Sequence, residues 1–187
     1  MDMNLNEERL ISRVKPHILR CRAGDWNHAK RVVGWVKELG KKRKDLFLLV
    51  TAAYIHDIGW RDVLPKGKIT FSKLLRYEEV ANKNSKRYAT ILLREIGYSD
   101  NKITTINRLI KAADKHSSSR DDEAIIVDAD NLSKLSINHL KDKYKREEWV
   151  KLYKLWKKEL PKRIKTTKAR TLYPSLLDRL IEDINTS

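Results

Sequence analysis

Leu46 to Gly59 reads LFLLVTAAYIHDIG, and its first ten residues hold no charged side chain. A helix that is apolar nearly all round belongs at the centre of a domain rather than on its surface. The stretch therefore predicts a central helix over about 44–58, with His56 and Asp57 at its end. An imidazole and a carboxylate set against buried structure are costly unless something binds them. A divalent metal ion is the partner that suits both.

On either side the chain keeps a helical period. Over 25–40, Asp25 reads as an N-cap, Ala29, Val32, Val33, Val36 and Leu39 recur at helical spacing, His28 falls in the first turn and Gly40 reads as the stop. Arg61 to Thr70, with Pro65 and Gly67, predicts a loop directly after the His-Asp pair. Ala89, Leu92, Leu93 and Ile96 form a stripe ending at Gly97. Ile103, Ile106, Ile110 and Ala113 form the next, capped by Ser99 or Asp100 and reaching toward His116. The apolar run Ala124 to Val127 leads into Asp128-Ala129-Asp130-Asn131-Leu132, where a helix is predicted to start and to continue through Leu135. In the last third, Trp149, Leu152, Tyr153, Trp156 and Leu160 alternate with lysines, Pro161 predicts a break, and a final helix is expected around 172–184. No internal repeat or strand-rich region interrupts this pattern, so the fold class predicted is all-α.

Composition sets the outer bounds. With 187 residues, 41% hydrophobic and 35% charged, the chain suits one domain spanning 1–187. No apolar run approaches the roughly 18 residues of a membrane span, and MDMNLNEERL at the N-terminus lacks a secretory pattern, which predicts a cytoplasmic protein with no membrane partner. The single cysteine, Cys21, has no second thiol for an internal disulfide or a zinc ribbon. The excess of 41 basic over 25 acidic residues, a net +16, concentrates anions and favours phosphorylated ligands, whether nucleotide, nucleic acid or anionic lipid. On the Lys-rich helix at 145–160, Trp149, Tyr153 and Trp156 are expected to dock on the core and the lysines to face solvent. The lysine face carries no interleaved aromatic of the kind a nucleic-acid stacking platform uses.

Four separated places present His or Asp beside apolar structure: Asp25 to His28, His56-Asp57, His116, and Asp128 to Asp130. Packed together, their helix ends would ring one cavity. Imidazole nitrogen with carboxylate oxygen and no sulfur suits Mn, Fe, Co, Ni or Zn. Asp128 and Asp130 stand roughly 200° apart around a helix, so both do not face one ion.

His28 within DWNHAKRV, the IHDIG of Ile55 to Gly59 and the DADNL of Asp128 to Leu132 together resemble the signature of the HD-domain metal-dependent phosphohydrolases, in the order His, His-Asp, Asp. Secondary matches are SKRYATILLREIGYS at 85–99, the segment Ile110 to Ser117 and the helix Leu172 to Ile181, so the resemblance covers about 24–184. It implies an all-helical fold with a metal site where helix ends converge, and His28, His56, Asp57 and Asp130 as ligands of one divalent ion. Asp130 is the late ligand because Ala129-Asp130-Asn131-Leu132 fits the family pattern in register. Asp128 is left to cap a helix through backbone amides. Members holding two metals have further histidines before the last aspartate, whereas 77–88 reads YEEVANKNSKRY and only His116 remains. Gly24 stands where a histidine commonly precedes the Asp-Trp pair.

The activity implied is hydrolysis of a small phosphate ester, a nucleotide or related metabolite, by water that the ion activates. Asp57 and His116 are the catalytic residues this implies, with His116 as proton donor or phosphate contact. Arg31 and Lys115 are the expected charge clamps on the phosphate. Trp26 is expected to pack, with stacking on a nucleobase as the other reading. The alternatives are a nucleic-acid-directed phosphodiesterase or binding protein, and a two-iron oxygenase on the same fold. Specificity is expected in the loops 60–76 and 117–123.

Overall fold

In the computed structural model, which describes residues 3–65 and 67–187, α-helices and short 3-10 turns account for all regular structure and no strand occurs among the described residues. Lys66, in the loop expected after the His-Asp pair, lies outside the described residues, as do Met1 and Asp2. The all-α reading holds. No helix among the described residues is long and apolar enough to cross a membrane.

The apolar stretch forms α3 (Leu46–Ile55), in which every residue from Leu49 to Ile55 is buried. It ends earlier than the expected residue 58, because after His56 and Asp57 the chain tightens into a 3-10 turn at Ile58–Trp60. Around α3 pack α2 (Asp25–Leu39) and α5 (Asp100–Asp114), and α6 (Asp121–Ser133) lies against both of these. α1 (Met3–Ile18), for which the sequence reading assigned no element, covers α3 with Leu10, Val14 and Ile18. α4 (Phe71–Ile96) is capped by the Thr70 hydroxyl, which accepts from Lys73 N at 3.3 Å, and packs on α5 and on the 3-10 turn. That approach requires glycine. A Cβ at Gly59 would lie 2.1 Å from Ala81 O and 2.4 Å from Ser85 Oγ.

The far side is closed by α7 (Ile137–Lys143), α8 (Trp149–Arg163) and α9 (Thr167–Thr186). Trp149 and Trp156 are buried, Tyr153 is half-buried, and Lys151, Lys154, Lys157 and Lys158 are exposed. Pro161 does not break α8 as expected. Its missing N–H frees the carbonyl of Lys157, and the Tyr173 hydroxyl of α9 donates to that carbonyl at 3.2 Å instead. α9 also begins earlier than expected, because Thr166 caps it by accepting from Ala169 N.

Two further expectations change at helix starts. Gly24 rather than Asp25 is the N-cap of α2, with φ of 77° and no room for a side chain against Asp142. Asp25 is fully buried and accepts from Arg22 N at 2.8 Å and from Lys143 Nζ at 2.5 Å. Asp128 and Asp130 sit well inside α6, not at its start, because the helix begins seven residues before Asp128 at Asp121.

Candidate metal centre

His28, in the first turn of α2, and His56, just past the end of α3, meet with their Nε2 atoms 3.1 Å apart. Their outer nitrogens settle which ring atoms carry protons. His56 Nδ1 lies 2.8 Å from Ala53 O, a carbonyl that only accepts, so Nδ1 holds the proton and donates. Ser133 Oγ donates to Asp130 O at 2.7 Å and therefore accepts from His28 Nδ1 at 3.1 Å. Both Nε2 atoms thus present lone pairs to one another. Two facing lone pairs at that distance repel unless a cation lies between them.

Carboxylates complete the ring. Asp130 Oδ1 lies 3.2 Å from His28 Nε2 and 3.8 Å from His56 Nε2. Asp57 Oδ2 lies 3.7 Å and 3.6 Å from the same atoms. Ligands bound to one ion at about 2.1 Å stand about 3.0 Å apart at right angles and about 3.4 Å apart in a tetrahedron, so the spacings among His28, His56 and Asp57 fit a single ion after small shifts, and Asp130 lies beside both rings. The ligand atoms of His28, His56 and Asp57 all fall within 4.8 Å of one another. Asp57 Oδ2 is buried and without an aligned hydrogen bond, although Arg22 Nη2 lies 2.5 Å away and Lys143 Nζ 3.7 Å away. A buried carboxylate oxygen left without a hydrogen bond fits a ligand to a metal.

The surroundings put Asp57, Asp130 and His28 in their ligating forms. Burial opposes ionisation of Asp57, but the charges of Arg22 and Lys143 hold its carboxyl well below the usual range. Burial likewise opposes ionisation of Asp130, and the charge of Lys134, 2.7 Å from its Oδ2, reverses that. Burial, then the charge of Lys143, lowers His28 to about 4. At neutral pH the carboxylates are charged and the His28 ring is neutral, as metal binding requires.

The remaining expected residues separate into those at the centre and those away from it. His116 stands directly after Lys115, the C-cap of α5, in a left-handed conformation with φ of 49°. Its buried Nδ1 has no hydrogen-bond partner and faces Asp130 Oδ2 at 3.8 Å. The charge of Lys134, then burial, lowers it to about 3. Asp128 turns the other way and accepts from Lys165 N at 2.8 Å and Thr166 N at 2.7 Å, so it caps the entry to α9 and not its own helix. Trp26 packs, stacked on Tyr54 at 5.6 Å.

The two expected clamps fall outside the centre. Arg31 pairs with Asp142 at 2.8 Å on a separate surface recess, drawn there because Asp142 lies at the end of α7 beside the start of α2. Lys115 lines an outer groove between α4 and α5. The cations that line the cavity at the centre, about 280 Å³ in volume, are instead Arg22, Lys134, Lys143 and Arg163. Its apolar walls include Trp60, Phe71, Leu74, Trp156 and Leu160. The sequence reading also passed over His139 of α7, whose buried ring meets His28 edge-on at 4.9 Å and is kept neutral by burial and by the charge of Lys143. Of these, only Lys134 carried a signal, standing one helical turn from Asp130.

Comparison with family models, with curated proteins and with solved structures finds no match for this chain in any of the three.

Proposed function

We propose that the chain is a divalent-metal-dependent phosphohydrolase of the HD-domain type acting on a small phosphate ester. The observation that carries the reading is the pair of buried imidazoles whose lone pairs meet at 3.1 Å between two ionised carboxylates. His28, His56, Asp57 and Asp130 are the residues to hold the ion. When bound, a divalent cation in such a donor set supplies a Lewis acid that polarises a phosphoryl oxygen and lowers the pKa of water.

The chain's own residues prepare the reaction around that position. Ser133 and the carbonyl of Ala53 hold the two rings in the ligating tautomer. Arg22 keeps Asp57 ionised. A His116 ring lowered to about 3 is neutral, so its part is to offer an N–H to a phosphoryl oxygen rather than to deliver a proton from an imidazolium. Trp60, Phe71 and Trp156 exclude water from one side. A cavity of about 280 Å³ suits a small ester and leaves no room for a duplex.

Metal content per chain, measured on protein purified without chelator, tests the centre. Near one equivalent is expected in the wild type and essentially none in His56→Ala. Phosphate release from small esters is expected to require the metal and to fall about 100-fold or more in Asp57→Ala. Undiminished release in Asp57→Ala would refute the reading.

A further inference from the structure

The cations at the cavity differ in what they have left to give. Arg22 and Lys143 are committed. Arg22 Nε lies 3.0 Å from Asp25 Oδ2, Arg22 Nη2 lies 2.5 Å from Asp57 Oδ2, and Lys143 Nζ lies 2.5 Å from Asp25 Oδ1. Among the described residues Lys134 is engaged only by Asp130 Oδ2 at 2.7 Å and by Asn131 Oδ1 at 3.4 Å, which leaves one of its three protons. Arg163, in the last turn of α8, lines the cavity half-buried and has no ion-pair partner among the described residues. Glu159 stands one turn before it but pairs with Lys162 at 2.9 Å.

Lys134 and Arg163 converge. Both line the same cavity as His116, and His116 faces the same Asp130 oxygen that Lys134 holds. An unpaired guanidinium at the wall of a cavity, beside a second cation, is a place for an anion.

We infer that Lys134 and Arg163 seat the terminal phosphoryl group of the substrate, and that these two charges select a phosphate monoester over a diester. A monoester carries close to two negative charges at neutral pH and a diester one. Lys134 supplies a point charge, and Arg163 supplies a planar fork matched to two phosphoryl oxygens. The inference rests on the phosphohydrolase reading and narrows it to monoesters.

Calorimetric binding of inorganic phosphate and of dimethyl phosphate to the full chain at pH 8, with and without added metal, provides the test. Arg163→Gln is expected to weaken phosphate binding about tenfold or more. Arg163→Lys, which keeps the charge and loses the fork, is expected to fall between. Lys157→Gln, which removes the same charge from the solvent face of α8, should leave the affinity within about twofold. Dimethyl phosphate should bind at least about tenfold more weakly than phosphate. No phosphate binding by the wild type, equal losses in Lys157→Gln and Arg163→Gln, or equal affinity for the two anions would each overturn the inference. Metal content of the same samples separates the two claims. Metal bound without the expected phosphate pattern sinks the seat alone, whereas the phosphate pattern without metal leaves the seat and sinks the phosphohydrolase reading.

Discussion

Asp114 lines the same cavity as Asp57, and burial together with the Asp57 charge pushes its carboxyl up to about 7. In the unfolded chain the same group titrates near 3.8. A folded value above the unfolded one means that its contribution to stability is fully present below about 3.8 and is lost as pH rises through about 7. Asparagine removes the titration without changing the shape. Chelator-treated Asp114→Asn is therefore expected to gain little over wild type at pH 4, to gain steadily up to pH 7, and to level off at about 4 kcal/mol above it. Urea unfolding at pH 5 and pH 8 checks this. An identical difference at both values would mean that the carboxyl ionises normally in the fold.

Within α6 two aspartates two residues apart have unrelated tasks, because the helix turns them to opposite sides. Asp130 faces the imidazoles of α2 and α3, whereas Asp128 faces the backbone amides that open α9. Their substitutions should separate accordingly. Asp128→Ala removes two charge-assisted hydrogen bonds at a helix entry, with an expected loss of about 1–3 kcal/mol and metal content unchanged. Asp130→Ala is expected to lose metal. Thermal unfolding and metal analysis of both variants decide it, and metal loss in Asp128→Ala would reverse the assignment. α3 illustrates the complementary limit: apolar on every side, it has a single place to go, and its end delivers His56 and Asp57 to the centre of the molecule.

Across the whole molecule, a net charge of +16 gives a field that attracts polyanions. The lysines of α8 are exposed while Trp149 and Trp156 are turned into the core, so the basic face offers charge and no stacking. Affinity for a single-stranded oligonucleotide is therefore expected to be weak and to fall steeply between about 50 and 200 mM salt. Fluorescence anisotropy across that range measures it. Tight binding that persists at the upper end would favour the nucleic-acid-directed reading over the small-ester one.

The sequence by itself determined the all-α fold and the residue types that meet at the centre. The period of the apolar residues marks the helices, and the charge-free run Leu46 to Ile55 marks the one that must be central. His28, His56, Asp57 and Asp130 were legible because their order resembles the HD-domain signature and they stand beside apolar structure. Choosing cations was different. Among 41 basic residues nothing local distinguishes Arg163 from Arg31, and only the packing of α8 brings the former to the cavity while Asp142 draws the latter away. His139 and the Arg22–Asp25–Lys143 cluster were hidden for the same reason, since Lys143 reaches Asp25 across 118 residues of chain. Ligand identity is a property of side-chain chemistry, which is written locally; the placement of a counter-charge is a property of distance in space, which only the tertiary structure decides.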